Sequence, residues 1–228
     1  MRAFFVRPID LMCSHTLVIP RNLTLEGPRV RLEPLTAAHA PDLQLNCGEP
    51  ALWEHTFQPN PFRSIADARA WIAQAIAAPD DVAFAIVDKA SGEAIGSTRY
   101  LDIQPAHRKL EIGWTFLARR YWRTYVNTEC KFLLLRYAFE VAGASRVQFK
   151  AEAINARSRS AIRRIGGIHE GTLRNFRIRP SDGEIRDVAF YSIIARDWSL
   201  AREHLARKAN AGVEVTGAVP PFGPDVPT

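Results

Sequence analysis

Cysteine is scarce in this chain of 228 residues: Cys13, Cys47 and Cys130 stand far apart and form no CxxC pair. An odd, scattered set builds neither a disulfide framework nor a cysteine-based zinc site, and no metal centre is expected. Long apolar runs are missing too. No stretch approaches the roughly 20 residues that span a bilayer. Arg7 and Pro8 interrupt the opening apolar residues before a signal-peptide core develops. These absences point to a cytoplasmic protein without membrane contact. Nor does the sequence show a convincing Ser-His-Asp or Cys-His arrangement.

What is present is a chain 47% hydrophobic, long enough for one well-buried core and short for two. The expected organisation is an extension over residues 1–22, a single domain over 23–208, and a disordered Gly-, Pro- and Val-rich tail over 209–228. The formal charge of +6 favours an anionic partner: nucleic acid, an acidic protein or a phosphorylated cofactor.

Periodicity supplies the order of elements. Residues 30–35 alternate as a strand and Thr36 opens a short helix. Ile65, Ala68, Trp71, Ile72, Ala75 and Ile76 recur at helical spacing. Strands over 82–87, 94–103 and 109–117 read as an antiparallel meander. A helix over 127–141, a strand over 146–151 and a helix over 156–165 follow. Two strands, 168–178 and 185–194, then hairpin around Ser181-Asp182-Gly183, and a last helix covers 197–208. This is an α/β (α+β) order.

Residues 121–128 join a strand to the start of a long helix, where unpaired N–H groups and the positive end of the dipole make a seat for a diphosphate. Arg119, Arg120, Arg123, Arg157, Arg159, Arg163 and Arg164 lie around it in sequence, about half of them expected on ordinary solvated faces.

Three stretches in this order, Leu-Glu-Ile-Gly-Trp at 110–114, Tyr-Trp-Arg-Thr-Tyr-Val-Asn-Thr-Glu at 121–129 and Asn-Ala-Arg-Ser-Arg-Ser-Ala-Ile at 155–162, resemble the GNAT superfamily. Glu170-Gly171-Thr172-Leu173-Arg174 adds a weaker match, and the likeness runs from about residue 25 to 206. The branch it resembles contains the Rim-type ribosomal-protein N-terminal acetyltransferases. The resemblance implies a central, mixed, mostly antiparallel sheet of about seven strands, splayed in the middle and flanked by helices on both faces. It implies acetyl-coenzyme A as donor and a primary amine, either a protein N-terminus or a small molecule, as acceptor, with a homodimer allowed and no specific nucleic acid.

Carried over residue by residue, it assigns the cofactor to Thr115, Phe116 and Leu117 on the strand, to Trp122, Arg123, Thr124, Tyr125, Val126, Asn127 and Thr128 on the loop and helix start, and to Asn155 and Ser158. Trp122, Tyr125 and Asn127 depart from the family's Gln/Arg-x-x-Gly-x-Gly/Ala pattern. Ile162 stands where many relatives carry a tyrosine general acid. Glu111 matches a carboxylate that accepts the amine proton, with a strand carboxylate paired to a neighbouring arginine as the even alternative. A backbone N–H near Thr115 or Phe116 would meet the oxyanion. Trp53, Phe57 and Tyr191 are candidate walls of an acceptor pocket. Two other readings stay open at this point: a non-catalytic module that binds coenzyme A or a protein, and a nucleic-acid binder.

Overall fold

The computed structural model describes residues 16–210 except 55, 57 and 181. Phe57, His55, Cys13, the tail beyond residue 210 and the first part of the extension lie outside the described residues. Leu17 and Ile19, upstream of the expected domain start, are buried in the same core as the sheet. The packed unit therefore begins before residue 23.

Among the described residues eight strands form one sheet: β1 (Leu25–Glu26), β2 (Val30–Pro34), β3 (Val82–Asp88), β4 (Ala94–Gln104), β5 (Lys109–Leu117), β6 (Arg146–Glu152), β7 (Ile168–Ile178) and β8 (Ile185–Ile194). Their order is β1-β2-β3-β4-β5-β6-β8-β7. Every neighbouring pair is antiparallel except β5 with β6.

Five helices cover the sheet: α1 (Ala40–Cys47), α2 (Ile65–Ala77), α3 (Val126–Arg136), α4 (Ala156–Arg164) and α5 (Trp198–Asn210). α3 continues as a π turn over Tyr137–Val141, so the helix foreseen to residue 141 changes winding at its end, and Val141 is exposed.

Strand alternation splits the core in two. Val147, Phe149 and Ala151 of β6 join Ala189, Tyr191 and Ile193 of β8 under α3 and α5. On the other face Trp53, Phe62, Trp71 and Phe116 meet ring to ring beneath α1 and α2, with centroids 5.0–5.5 Å apart. One buried carboxylate ties the β1–β2 turn to α3. Glu129 Oε1 accepts the Arg29 and Val30 N–H groups at 2.8 and 2.9 Å, and its Oε2 meets Arg29 Nε at 3.1 Å.

Candidate active site

The parallel strands β5 and β6 pair only at Lys109 with Arg146, Leu110 with Val147 and Glu111 with Gln148. Beyond Glu111 they part, although β5 runs on to Leu117 and β6 to Glu152. The β5 edge facing the gap keeps N–H and C=O groups without a strand partner on that side, an arrangement that demands a ligand or water. The gap opens into a cleft of about 990 Å³.

A bulge shapes β5 at the cleft. Trp114 takes φ of 49°, and the β4 register shifts between Ser97 and Arg99. The bulge turns Thr115 toward α3, where its hydroxyl lies 2.8 Å from that of Thr98. Trp114 stays on the opposite face, 4.9 Å from the Arg99 guanidinium, which also stacks on Trp71 and pairs with Asp81.

Of the residues assigned to the cofactor, Thr115, Phe116, Leu117, Trp122, Arg123, Asn127, Asn155 and Ser158 line the cleft, whereas Thr124, Tyr125, Val126 and Thr128 do not. Thr124 shapes the loop instead: its hydroxyl donates to Tyr121 O at 2.8 Å and accepts from Val126 N at 3.3 Å. Tyr125 has φ of −65° and its ring lies under the Arg29 guanidinium, 3.6 Å from the centroid. That conformation is open to any residue, so the helix start forms without glycine. Val126 and Thr128 are buried in the helix interior. Asn155 caps α4 by accepting the Ser158 N–H at 2.9 Å.

The arginines have different surroundings. Arg119 is held by Glu49, Arg120 by Asn46 and Glu93, and Arg159 by Ala153 O and Tyr191. Arg119 also lines the cleft, together with Arg123, Arg157 and Arg164. Arg157 stacks 3.7 Å from the Trp122 ring centroid, closing the loop against α4.

Glu111 is 5% exposed. Its Oε2 lies 2.7 Å from Lys150 Nζ and accepts from Gln148 Nε2 at 3.1 Å, so its ion-pair partner is a lysine and not the arginine foreseen. Gly113 leaves room above it, because a Cβ there would come within 3.2 Å of Glu111 Oε1. Glu152 was not anticipated. It lines the same cleft at 2% exposure, both carboxylate oxygens lack a hydrogen-bond partner, and Arg186 Nε stands 4.0 Å away. Only the register of β6, which sets Gln148, Lys150 and Glu152 on one face, could have pointed to it.

Trp53 lines the cleft while packing in the α1–α2 core. Tyr191 is a correction: alternation along β8 turns it into the α3–α5 core, fully buried, where its hydroxyl accepts from Arg159 Nε at 3.0 Å. Burial raises the Cys47 thiol to about 12 and the Cys130 thiol higher still, which makes both inert as nucleophiles. No group of three or more metal-ligating side chains occurs among the described residues, and no helix among them is long and apolar enough to cross a membrane.

Residues 29–168 match the family model described as acetyltransferase (GNAT) domain. The chain belongs to the GNAT acetyltransferase family. A crystal structure of a GCN5-related N-acetyltransferase from Brucella melitensis shares 29% identity, with 87% of this chain and 91% of that chain covered and a TM-score of 0.80. A probable GNAT-family acetyltransferase from Chromobacterium violaceum ATCC 12472 shares 30% identity over 87% of this chain and 98% of that one, with a TM-score of 0.76. A curated relative from Bacillus subtilis (strain 168), named "Putative ribosomal N-acetyltransferase YdaF", is 29% identical over 107 residues. That match spans 47% of this chain and 57% of the relative, and it agrees with the Rim-type resemblance. The GNAT sheet thus has eight strands here, the extra one being the two-residue β1.

Proposed function

We propose that this GNAT enzyme transfers an acetyl group from acetyl-coenzyme A to a primary amine, a protein N-terminus or a small molecule, by direct attack on the thioester. The observation that carries the reading is the parting of β5 from β6 at Glu111, which leaves a strand edge unpaired inside a cleft that also holds the α3 start. An amide-bearing arm fits such an edge as an added strand would. Arg123, Arg157 and Arg164 supply the charge that its phosphates need.

Thr115, Phe116 and Leu117 pair with the donor's arm, and the backbone at the bulge donates to the developing oxyanion. Asn155 orients the arm from the α4 side. On the opposite face of β5, Glu111 accepts the amine proton through water, with Lys150 fixing its carboxylate in place. Glu152, with its oxygens unsatisfied, receives N–H donors of the incoming amine. Trp53 and Trp114 wall the approach.

The test is thiol release from acetyl-coenzyme A with a panel of alkylamines and peptides with free N-termini. Turnover with any amine supports the proposal. Binding of coenzyme A without turnover on the whole panel favours a binding module instead, and failure to bind any acyl-coenzyme A sinks both.

A further inference from the structure

Lys131 lies within α3, 6% exposed, and lines the cleft. Its ammonium donates to two hydroxyls, Thr115 Oγ1 at 2.6 Å and Thr98 Oγ1 at 3.4 Å, and it enters no ion pair among the described residues. Burying an unpaired ammonium costs more than two hydroxyl bonds return, whereas an apolar chain of the same length would pack without that penalty. A structural role does not explain this lysine.

Thr115 and Thr98 both accept from Lys131 and share one hydrogen bond in which either hydroxyl can donate; with Thr98 as its donor, the hydrogen of the Thr115 hydroxyl points elsewhere. Its protein acceptor besides Thr98 is Gly113 O at 3.4 Å, a weak bond that a better acceptor in the cleft displaces. Ile162, which also lines the cleft and belongs to the α3-side core, has no proton to give. Glu111 and Lys150 stand on the other face of the sheet.

We propose that Lys131, acting through the Thr115 hydroxyl, supplies the proton taken up by the leaving thiolate. This rests on the acyl-transfer reading. The amine nitrogen bonds to the carbonyl carbon, the carbon–sulfur bond breaks, and its electron pair goes to sulfur. Sulfur takes the Thr115 proton as Thr115 oxygen takes one from Lys131. The proton lost by the amine passes to Glu111 and from there to solvent, and solvent returns one to Lys131, so both side chains regain their starting charge. Burial lowers Lys131 to about 8, close to the range of an alkyl thiol, about 8.5, where proton exchange between the two is efficient.

The titratable group acting on Lys131 from its own helix is the Cys130 thiol. β4 presents Tyr100, whose hydroxyl is committed to Leu134 O at 2.5 Å. β5 and β6 bring Glu111 and Lys150 to the cleft, and α4 brings Arg157 and Arg164.

The experiment is an ultraviolet titration of the thiol of bound coenzyme A, beside the pH profile of kcat, for the wild type, Lys131→Met, Thr115→Val and Thr115→Ser. In the wild type the bound thiol should ionise about one pH unit lower than in free coenzyme A, roughly a tenfold gain in thiolate at neutral pH. That shift should vanish in Lys131→Met and Thr115→Val and return in Thr115→Ser. The wild-type rate should fall as pH rises through about 8, and Lys131→Met should lose that limb together with about 10²-fold in kcat. Lys131→Met removes a desolvated charge, so folding is not endangered. Identical thiol titrations in the wild type and Lys131→Met would overturn the proposal. Coenzyme A that does not bind the wild type at all would overturn the acyl-transfer reading and this inference with it.

Discussion

Lys150 Nζ lies 2.7 Å from Glu111 Oε2, across the two strands at the point where they stop pairing. The pair links β5 to β6 where the gap begins and fixes the Glu111 side chain in the cleft lining. Replacing Glu111 by Gln keeps the shape and the Gln148 contact but removes the proton acceptor. The expected result is a loss of about 10²–10⁴-fold in kcat, with coenzyme A affinity unchanged by calorimetry.

Lys131 should make the protein less stable than it could be. Its value falls from 10.5 to about 8 in the folded state, so between those limits the unfolded chain binds more protons and stability rises with pH. Below about 8 both states are protonated and the full penalty applies, on the order of 3 kcal/mol. Lys131→Met is therefore expected to raise the melting temperature at neutral pH, with the gain shrinking from pH 8 to 10.5. A gain independent of pH would show that charge burial is not its source.

Tyr125 stands where the family pattern has glycine, yet its φ of −65° needs none and its ring covers Arg29. Tyr125→Gly should leave coenzyme A affinity within about twofold while lowering stability by roughly 1 kcal/mol, through the lost stacking and the freer unfolded chain. Calorimetry and chemical denaturation check the two halves separately.

Glu152 has two buried oxygens and no hydrogen-bond donor among the described residues. Glu152→Gln should raise KM for the acceptor amine about tenfold and leave the affinity for coenzyme A as it was. Equal KM values in the two proteins would assign Glu152 to the Arg186 side of the cleft wall.

Most strand and helix positions were legible because alternation and helical spacing are local. β5, β7 and β8 match their expected bounds residue for residue, and the GNAT order followed from them. The loop proposed to seat a diphosphate stood out by its place between strand and helix, but which of its residues face the cleft did not, since Thr124 and Tyr125 turn inward through contacts to Tyr121 and Arg29.

Tyr191 was misplaced because an aromatic in a strand fits either face until the register is known. Lys131 and Glu152 escaped notice for the opposite reason. Each is a single charged residue beside an apolar stripe, indistinguishable in sequence from a solvated one, and only burial sets it apart.

The central claim is that the gap between β5 and β6 holds the acyl donor. A crystal structure with coenzyme A bound tests it most directly. The account predicts the pantetheine amides hydrogen-bonded to the backbone of Thr115, Phe116 and Leu117, with the diphosphate at the start of α3 beside Arg123 and Arg157. Coenzyme A bound outside that gap, or an empty gap at saturating coenzyme A, would contradict it.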